Sequence, residues 1–243
     1  MKIIELCGVP GSGKSTAHKI CREKHPELFE GIKGWGDLYP SSKLQRAAIK
    51  GWTCFRVLFG LLDGEEKKLC DAVRNNEKGW LRYVSTAIAL FGRIRKKAKS
   101  SEAGDIYLLD EGLVQQLSSA AFFSDLSISG KESEEGVFLP ADIEYKALYF
   151  TCDRDECVRR VIQRGRMDRY GKSTEHMKEL IEIKDRNLRF LMGYLNTGVT
   201  DIDSGRPADA VAEELAEIIE DVRGSFFPVP SEQKTSKGIR VIF

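Results

Sequence analysis

Short apolar runs alternate with longer stretches of helical periodicity along most of this chain. Five of the runs have the composition of short buried strands, the weakest of them being the second. Strands that alternate with helices form a parallel sheet covered on both faces, so the pattern predicts a three-layer α/β/α fold around a five-stranded parallel sheet. The predicted strands cover residues 3–7, 31–35, 106–109, 147–152 and 199–202.

The helical periodicity is clearest in the last helix. Its apolar side chains recur at i, i+3, i+4 and i+7, with a proline where a first turn would begin and a glycine where the helix would stop. Residues 40–100 are mostly helical in character and too long for a simple crossover, so a helical insertion beside the sheet is expected. Its breaks are expected near Gly51, Asp63 and Gly79, and the other predicted helices cover 14–24, 153–164, 174–196 and 208–222.

Length and composition fit a single globular domain. The 243 residues are 42% hydrophobic, and a net charge of +1 gives no reason to expect nucleic acid or an anionic membrane as a partner. We expect one domain over residues 1–223 and a tail over 224–243. The six cysteines lack metal-ligand spacing, no signal-peptide pattern follows Met1, and no apolar run could span a bilayer. A cytoplasmic protein with reduced thiols is therefore expected.

A glycine-rich motif follows the first predicted strand. Residues 8–15 match G-x-x-x-x-G-K-[ST], in which backbone N–H groups wrap a phosphate and the next helix points its dipole at it. In such a loop Lys14 reaches the β- and γ-phosphates, and the Ser15 hydroxyl holds Mg²⁺. The motif predicts a P-loop NTPase fold that binds ATP with Mg²⁺. The loop contacts are expected from Gly8, Pro10, Gly11, Ser12, Gly13, Lys14 and Ser15.

Two carboxylates end the third predicted strand. Asp110 would lie at the carboxyl end of a strand, where ligands bind in open α/β sheets, and it is predicted to hold Mg²⁺ together with Ser15. An ordinary acidic strand end is the alternative. Glu111 would either polarise water, as in motor-type ATPases, or orient an acceptor or the metal shell, as in a kinase.

Four arginines cluster at the end of one predicted helix and in the link that follows it. Guanidinium groups this close repel one another unless they are solvated or face an anion. They form either a solvated basic face or a lid, at about residues 164–173, that closes over the triphosphate and stabilises the charge of the transition state. The arginines are Arg160, Arg164, Arg166 and Arg169.

These motifs together resemble the nucleoside monophosphate kinase group and are most similar to thymidylate kinase-like proteins. The resemblance is carried by the loop at 8–16, the strand that ends in Asp110, the arginine spacing from 160 to 169 and the sequence 201–207 before the last helix. It covers roughly residues 1–25 and 105–222.

The resemblance implies a five-stranded parallel core with a lid and a helical acceptor-binding region. It implies that Arg160 lies against the adenine ring, that Arg164 binds the phosphates and that Thr16 contacts the α-phosphate. The turn that contains Ser204 and Gly205 would border the adenine.

The chain departs from this family at Glu111. Thymidylate kinases have an arginine there, which grips the acceptor phosphate, so the acidic residue favours a hydroxyl acceptor. Asp37 follows the second predicted strand and could take the proton of an attacking hydroxyl, or it could be a turn aspartate. Trp35 and Tyr39 would stack on a ligand or pack in the core. Arg46 and Arg56 are weaker candidates for acceptor contacts, and His18 and His25 are expected at the surface or the core edge.

The sequence therefore predicts an ATP-dependent phosphotransferase acting on a nucleoside, a nucleotide or another hydroxyl compound. The alternative is an ATP-hydrolysing switch that binds a protein partner. A GTPase is disfavoured because no N-K-x-D element lies in the expected region. A homodimer stays open as the assembly.

Overall fold

The computed structural model contains one parallel sheet. It describes residues 1–39, 42–74, 79–100, 104–121, 126, 136–137, 139–165 and 173–224. The register pairs Lys2 with Ile106 on one side and with Glu144 on the other, so the carboxyl ends of neighbouring strands meet at one edge. Within the described residues the strands are β1 (Lys2–Cys7), β2 (Ile106–Leu109), β3 (Glu144–Thr151) and β4 (Gly198–Asp203), in the spatial order β2-β1-β3-β4.

The prediction of a fifth strand over residues 31–35 is wrong. Only Lys33 pairs with the sheet, in an isolated parallel bridge to Tyr107 at the outer edge of β2. Gly31 has a φ of 79°, in the left-handed region, and Gly34 is already the N-cap of a helix. The extended backbone between these glycines is too short to continue a ladder.

Helices connect the strands and cover the sheet. The prediction for 14–24 is confirmed, and those for the helices after β3 and after β4 differ by only a few residues at their ends. The helices are α1 (Lys14–Lys24), α2 (Trp35–Leu38), α3 (Lys43–Leu58), α4 (Gly64–Ala72), α5 (Trp80–Ala98), α6 (Leu113–Ala120), α7 (Arg154–Gln163), α8 (Thr174–Tyr194) and α9 (Ala208–Gly224), with a 3₁₀ turn at Pro26–Phe29.

The insertion between residues 40 and 100 is helical, as predicted, but its first break is not where the sequence placed it. Gly51 lies inside α3, which runs on to Leu58. A glycine in a helix costs about 1 kcal/mol, an amount that packing of α3 on α5 offsets. The other two breaks are confirmed, because Asp63 caps α4 and Gly79, with a φ of 99°, is the N-cap of α5.

The sheet separates two apolar cores. On one face Ile4, Leu6 and Phe150 pack with α1 and α9. On the other face Ile3 and Tyr149 pack with α5, α6 and α8. Neighbouring strand residues point to opposite faces, so this alternation produces the three layers that the sequence predicted.

The predicted lid arginines Arg166 and Arg169 and residues 225–243 of the predicted tail lie outside the described residues. Among the residues that are described, no helix combines the length and the apolar character needed to cross a membrane.

Candidate functional site

The loop between β1 and α1 has the shape of an anion cradle. Gly11 and Gly13 have φ values of 84° and 88°, a backbone conformation that residues with a side chain rarely adopt. A Cβ on Gly11 would lie 2.3 Å from the carbonyl oxygen of Cys157, so this glycine is also required by the close approach of α7. Gly13 caps α1 without a side-chain hydrogen bond to the helix. The first N–H groups of α1 therefore have no side-chain cap, as an anion site requires.

Lys14 begins α1 and bends back over the loop. Its Nζ donates to the carbonyl oxygen of Gly8 at 3.4 Å. Burial lowers the pKa of Lys14 from its ordinary value of 10.5, and the nearby carboxylates of Glu111 and Asp110 oppose this shift. A partly buried ammonium among acceptors is suited to meet the charge of a phosphate.

No sequence motif indicated the residues that support this loop. The side-chain Nε2 of Gln115 donates to the Gly8 carbonyl at 3.0 Å. Gln115 is positioned by Glu5, a fully buried residue whose carboxylate accepts from the backbone N–H of Val114 at 3.0 Å and of Gln115 at 2.8 Å. The Tyr145 hydroxyl also donates to Glu5, at 2.6 Å. Glu5 thus accepts from two N–H groups in the first turn of α6, as a capping side chain would, although it comes from β1.

Asp110 follows β2 and forms a hydrogen-bonded pair with His18. The distance from His18 Nδ1 to Asp110 Oδ1 is 2.7 Å, and this hydrogen bond is the main reason why the pKa of Asp110 lies below its ordinary value of 3.8. Asp110 is therefore ionised at neutral pH. The expectation that His18 is a surface or core-edge residue missed this role. The one sequence signal for this role is that His18 follows Lys14 by four residues, which places both side chains on the same face of α1.

Two of the cavities in the described part of the chain are lined by residues 13–16, and the larger of the two has a volume of about 840 Å³. It brings together the predicted residues Lys14, Ser15, Asp37, Asp110 and Glu111. They line one cavity because the carboxyl ends of β1 and β2 lie side by side. The cavity wall also includes four cations that motif reasoning did not find, and these are Arg22, Lys33, Lys50 and Arg82.

Asp37 lines this cavity and also caps α2. Its Oδ2 accepts from the backbone N–H of Gly34 at 2.7 Å. This hydrogen bond agrees with the alternative interpretation of Asp37 as a turn aspartate. Trp35 lines the cavity, whereas Tyr39 is buried and stacks against Trp35 at 5.0 Å between ring centroids. Tyr39 is thus a core residue.

Neither of the two weaker arginine candidates lines the cavity. The guanidinium of Arg56 forms a two-point ion pair with Glu66, whose side chain is only 5% exposed, and this pair joins α3 to α4. Arg56 is therefore a structural residue. Arg46 lies on α3 outside the residues that line the cavity.

The smaller cavity, of about 340 Å³, lies on the other side of the loop. Arg160 lines this cavity. Its guanidinium donates to the Ser204 carbonyl at 3.2 and 3.3 Å and to the Gly11 carbonyl at 3.4 Å. Hydrogen bonds from Arg159 and Arg160 lower the pKa of Glu156 to about 2. The Glu156 carboxylate is therefore ionised at neutral pH and binds both arginines.

The other residues predicted for this side lie nearby. Arg164 donates to the Thr16 hydroxyl at 3.2 Å, and both line the cavity together with Ser204. Gly205 is next to Ser204 in the turn after β4, where its N–H donates to Asp203 at 2.9 Å. The structure therefore brings Thr16, Arg160, Arg164 and Ser204 together.

The residues at the loop fit an ATP-bound magnesium ion. Within the described residues no group of three or more His, Cys, Asp or Glu side chains is arranged to hold a metal. Mg²⁺ at a nucleotide needs only one or two protein oxygens, because phosphates and water supply the rest. Ser15 and Asp110 line one cavity and are oxygen donors of that kind. The loop also holds a buried Ser12 hydroxyl that has no hydrogen-bond partner among the described residues.

Comparisons with known proteins show distant similarity to solved structures. No protein-family model and no curated protein sequence matches the chain. A solved structure of deoxyadenosine kinase from M. mycoides with dCMP and dCDP is 14% identical, with a TM-score of 0.48, covering 91% of this chain and 100% of that chain. The same enzyme with bound dATP is 12% identical, with a TM-score of 0.46, covering 90% of this chain and 98% of that chain. Similarity at this level does not transfer an activity, so the site residues alone support the function proposed below.

Proposed function

We propose that this chain is a phosphotransferase that moves the γ-phosphoryl group of Mg-ATP to a small-molecule acceptor. The acceptor is a nucleoside, a nucleotide or another hydroxyl compound. The observation that carries the proposal is the position of the loop between two cavities. Gly13 and Thr16 line the smaller cavity, whereas Lys14 and Ser15 line the larger one. ATP hydrolysis needs room for a water molecule only, but the larger cavity has the volume of a small-molecule site.

The smaller cavity is the proposed site of the adenosine part of ATP. Arg160 offers the flat face of a guanidinium that its contacts with Ser204 and Gly11 hold in place. Arg164 and Thr16 lie where the cavity approaches the loop. We assign Arg160 to the base, and Arg164 and Thr16 to the phosphates.

The larger cavity is the proposed acceptor site. Arg82 and Lys50 have no salt bridge among the described residues, and together with Lys33 and Arg22 they suit an acceptor rich in hydroxyl or anionic groups. The acceptor oxygen forms its bond to the γ-phosphorus while the bond to the bridging oxygen of ADP breaks. Lys14 stabilises the charge on the phosphoryl oxygens.

The proton of the acceptor hydroxyl passes to a carboxylate at this cavity. Glu111 is the stronger candidate, because within the described part of the chain its side chain accepts only from Gln116, at a long 3.5 Å, whereas Asp37 caps α2. Bound Mg²⁺, held by Ser15 and Asp110, would neutralise part of the phosphate charge. We assign the arginines Arg166 and Arg169 to a lid over the phosphates, as the sequence resemblance implies.

A transfer assay tests this proposal. The protein is incubated with γ-labelled ATP, Mg²⁺ and a pool of nucleosides, nucleotides and sugars, and the products are separated. We expect label in an organic product, and we expect Lys14→Ala to reduce transfer at least about 100-fold while the fold is retained.

Lys19→Ala is the matched control for the lysine variant. Lys19 lies on α1 as well, but it is exposed and its one ion pair within the described ranges is with Glu23, so its loss should leave the rate unchanged. Label that appears only as free phosphate with every acceptor would refute the transferase and support the ATP-hydrolysing switch.

A further inference from the structure

The outward side of α3 is a continuous apolar surface. Its inward side packs on α5, where Thr53 is buried and the Cys54 thiol donates to the Ser85 hydroxyl at 3.1 Å. Large apolar side chains cover the other side and are left in water. We call them the α3 face, and they are Leu44, Trp52, Phe55, Leu58, Phe59 and, just after the helix, Leu61.

The α3 face contains no charge. At 3.6 residues per turn its helical members fall within an arc of about 120°, and the positions between them are Ala48 and Gly51. The basic residues of α3 lie outside this arc. A solvated helix face would normally alternate apolar and charged residues, so this pattern is that of a buried face.

The rings of the face are already in contact with one another. Trp52 stacks on Phe55 at 5.5 Å between centroids, and Phe55 lies 4.4 Å from Phe59. Trp52 and Phe59 remain 61% and 65% exposed. Preordered aromatic side chains at the centre of a patch are the usual anchors of a protein interface, because little entropy is lost when they bind.

The exposed area of the face is that of an interface. Taking about 150–250 Å² for a large side chain, the exposed fractions leave about 550–900 Å² of apolar surface in water. The largest patch on a typical monomer is about 300–600 Å². A standard interface buries about 800 Å² on each partner. One copy of the face therefore supplies about the area that one partner in a stable complex buries.

We propose that the α3 face binds the same face of a second copy of this chain, with the two α3 helices antiparallel across a twofold axis. The uncharged face meets itself without like-charge repulsion. The amino end of α3 carries Lys43 and Arg46, while its carboxyl end is followed by Asp63 and Glu65. An antiparallel pair brings the basic end of one helix to the acidic end of the other and aligns the helix dipoles favourably.

The dimer also stabilises the wall of the larger cavity, which is the proposed acceptor site. Lys50 is on α3 and lines the larger cavity, and Arg82 and Thr86 reach that cavity from α5, on which α3 packs. A partner that holds α3 in place stabilises this wall.

Sedimentation equilibrium of the full chain tests the proposal. The wild type is expected at twice the 27.3 kDa of one chain at micromolar concentration. Trp52→Glu and Phe59→Glu should each raise the dimer dissociation constant at least about 30-fold. Both side chains point to solvent, so the far-UV circular dichroism and the thermal midpoint of the monomer should be retained. Val199→Glu places the same charge on an exposed apolar residue of β4 and should leave the dimer intact.

Two results would overturn the proposal. One is a wild type that stays monomeric at about 100 µM, well above the range expected for a standard interface. If that monomer dimerises once residues 225–243 are removed, the tail is the occupant of the face. If instead it binds vesicles of phosphatidylserine and phosphatidylcholine and Trp52→Glu does not, the occupant is a membrane. A Trp52→Glu variant that remains a dimer would also reject this face.

Discussion

At the residue scale, two carboxylates lie at the acceptor cavity in different environments. Asp37 already accepts from the Gly34 N–H at 2.7 Å, which ties its orientation to α2. Glu111 is exposed, and among the residues that the structure describes its side chain accepts only from Gln116, at 3.5 Å. A proton acceptor has to be within reach of the substrate and not held elsewhere, so the two residues make different predictions.

We expect Glu111→Gln to lower kcat for phosphoryl transfer by about 10²–10⁴, because the amide cannot take the proton. Asp37→Asn keeps an oxygen that can cap α2 and should lower kcat less than about 10-fold. Steady-state kinetics of both variants with the same acceptor make the comparison. If Asp37→Asn shows the larger loss, the two assignments are reversed.

Motif residues could be predicted because their spacing is local. Lys14 and Ser15 begin the helix after the β1 loop, Asp110 directly follows β2, and the three residues line one cavity at the carboxyl edge of the parallel sheet. The partners that hold them could not be predicted. Gln115 reaches Gly8 across 107 positions in sequence, and no local pattern distinguishes a glutamine with this role from any other buried glutamine.

At the element scale, the amino end of α6 depends on a side chain from β1. Glu5 accepts the N–H groups of Val114 and Gln115 and the hydroxyl of Tyr145. In Glu5→Ala these buried donors lose their acceptor, so the free energy of unfolding should fall by about 3 kcal/mol, measured by urea denaturation. Glu144→Ala removes an exposed glutamate of β3 and should change it by less than about 0.5 kcal/mol.

The same carboxyl makes stability depend on pH. Burial raises the pKa of Glu5 above its ordinary value of 4.5, so the folded chain binds this proton more tightly than the unfolded chain does. Its contribution to stability is complete below pH 4.5 and is lost as the pH rises through the folded-state pKa. The stability of the wild type relative to Glu5→Gln should therefore decrease as the pH rises above 4.5. A difference that does not change with pH would contradict this.

The ion pair between α3 and α4 gives a second prediction at this scale. Arg56→Ala leaves the Glu66 carboxylate buried without its cation, so we expect a loss of about 3 kcal/mol in the free energy of unfolding. Arg95→Ala breaks a more exposed pair with Asp63 in the same region and should cost less than about 1 kcal/mol. Equal losses of unfolding free energy in the two variants would mean that burial of the ion pair does not determine the cost of breaking it.

Elements were easier to predict than the contacts between them. The bounds of α1 follow from its periodicity and from Pro26, and the structure has the same bounds. The failed strand at 31–35 has the composition of a strand, but a strand needs a neighbour along several residues, and only Lys33 has one. In α3, packing outweighs the cost of Gly51, a balance that local propensity cannot reveal.

At the scale of the whole molecule, the smaller cavity is built from three separate parts of the chain. Arg160 from α7 touches the loop after β1 and the turn after β4. A ligand that fills this cavity should stabilise the entire domain. We expect a non-hydrolysable ATP analogue with Mg²⁺, at about 100 times its Kd, to raise the Tm by about 5–10 °C.

Arg160→Ala should remove most of that shift. The matched control is Arg154→Ala, on the same helix but paired with Glu182 away from the cavity, which should keep it. Differential scanning fluorimetry makes the measurement. An undiminished shift in Arg160→Ala would place the nucleotide elsewhere.

The support of the loop by distant residues has a consequence for synthesis on the ribosome. The loop emerges well before the residues that support it, because Gly8 accepts from Gln115, and Gly11 packs on Cys157 and accepts from Arg160. At about 5–20 residues per second, some ten seconds or more pass between the emergence of the loop and of its last support. A nascent chain should therefore gain affinity for ATP late and abruptly, only after α7 has left the exit tunnel.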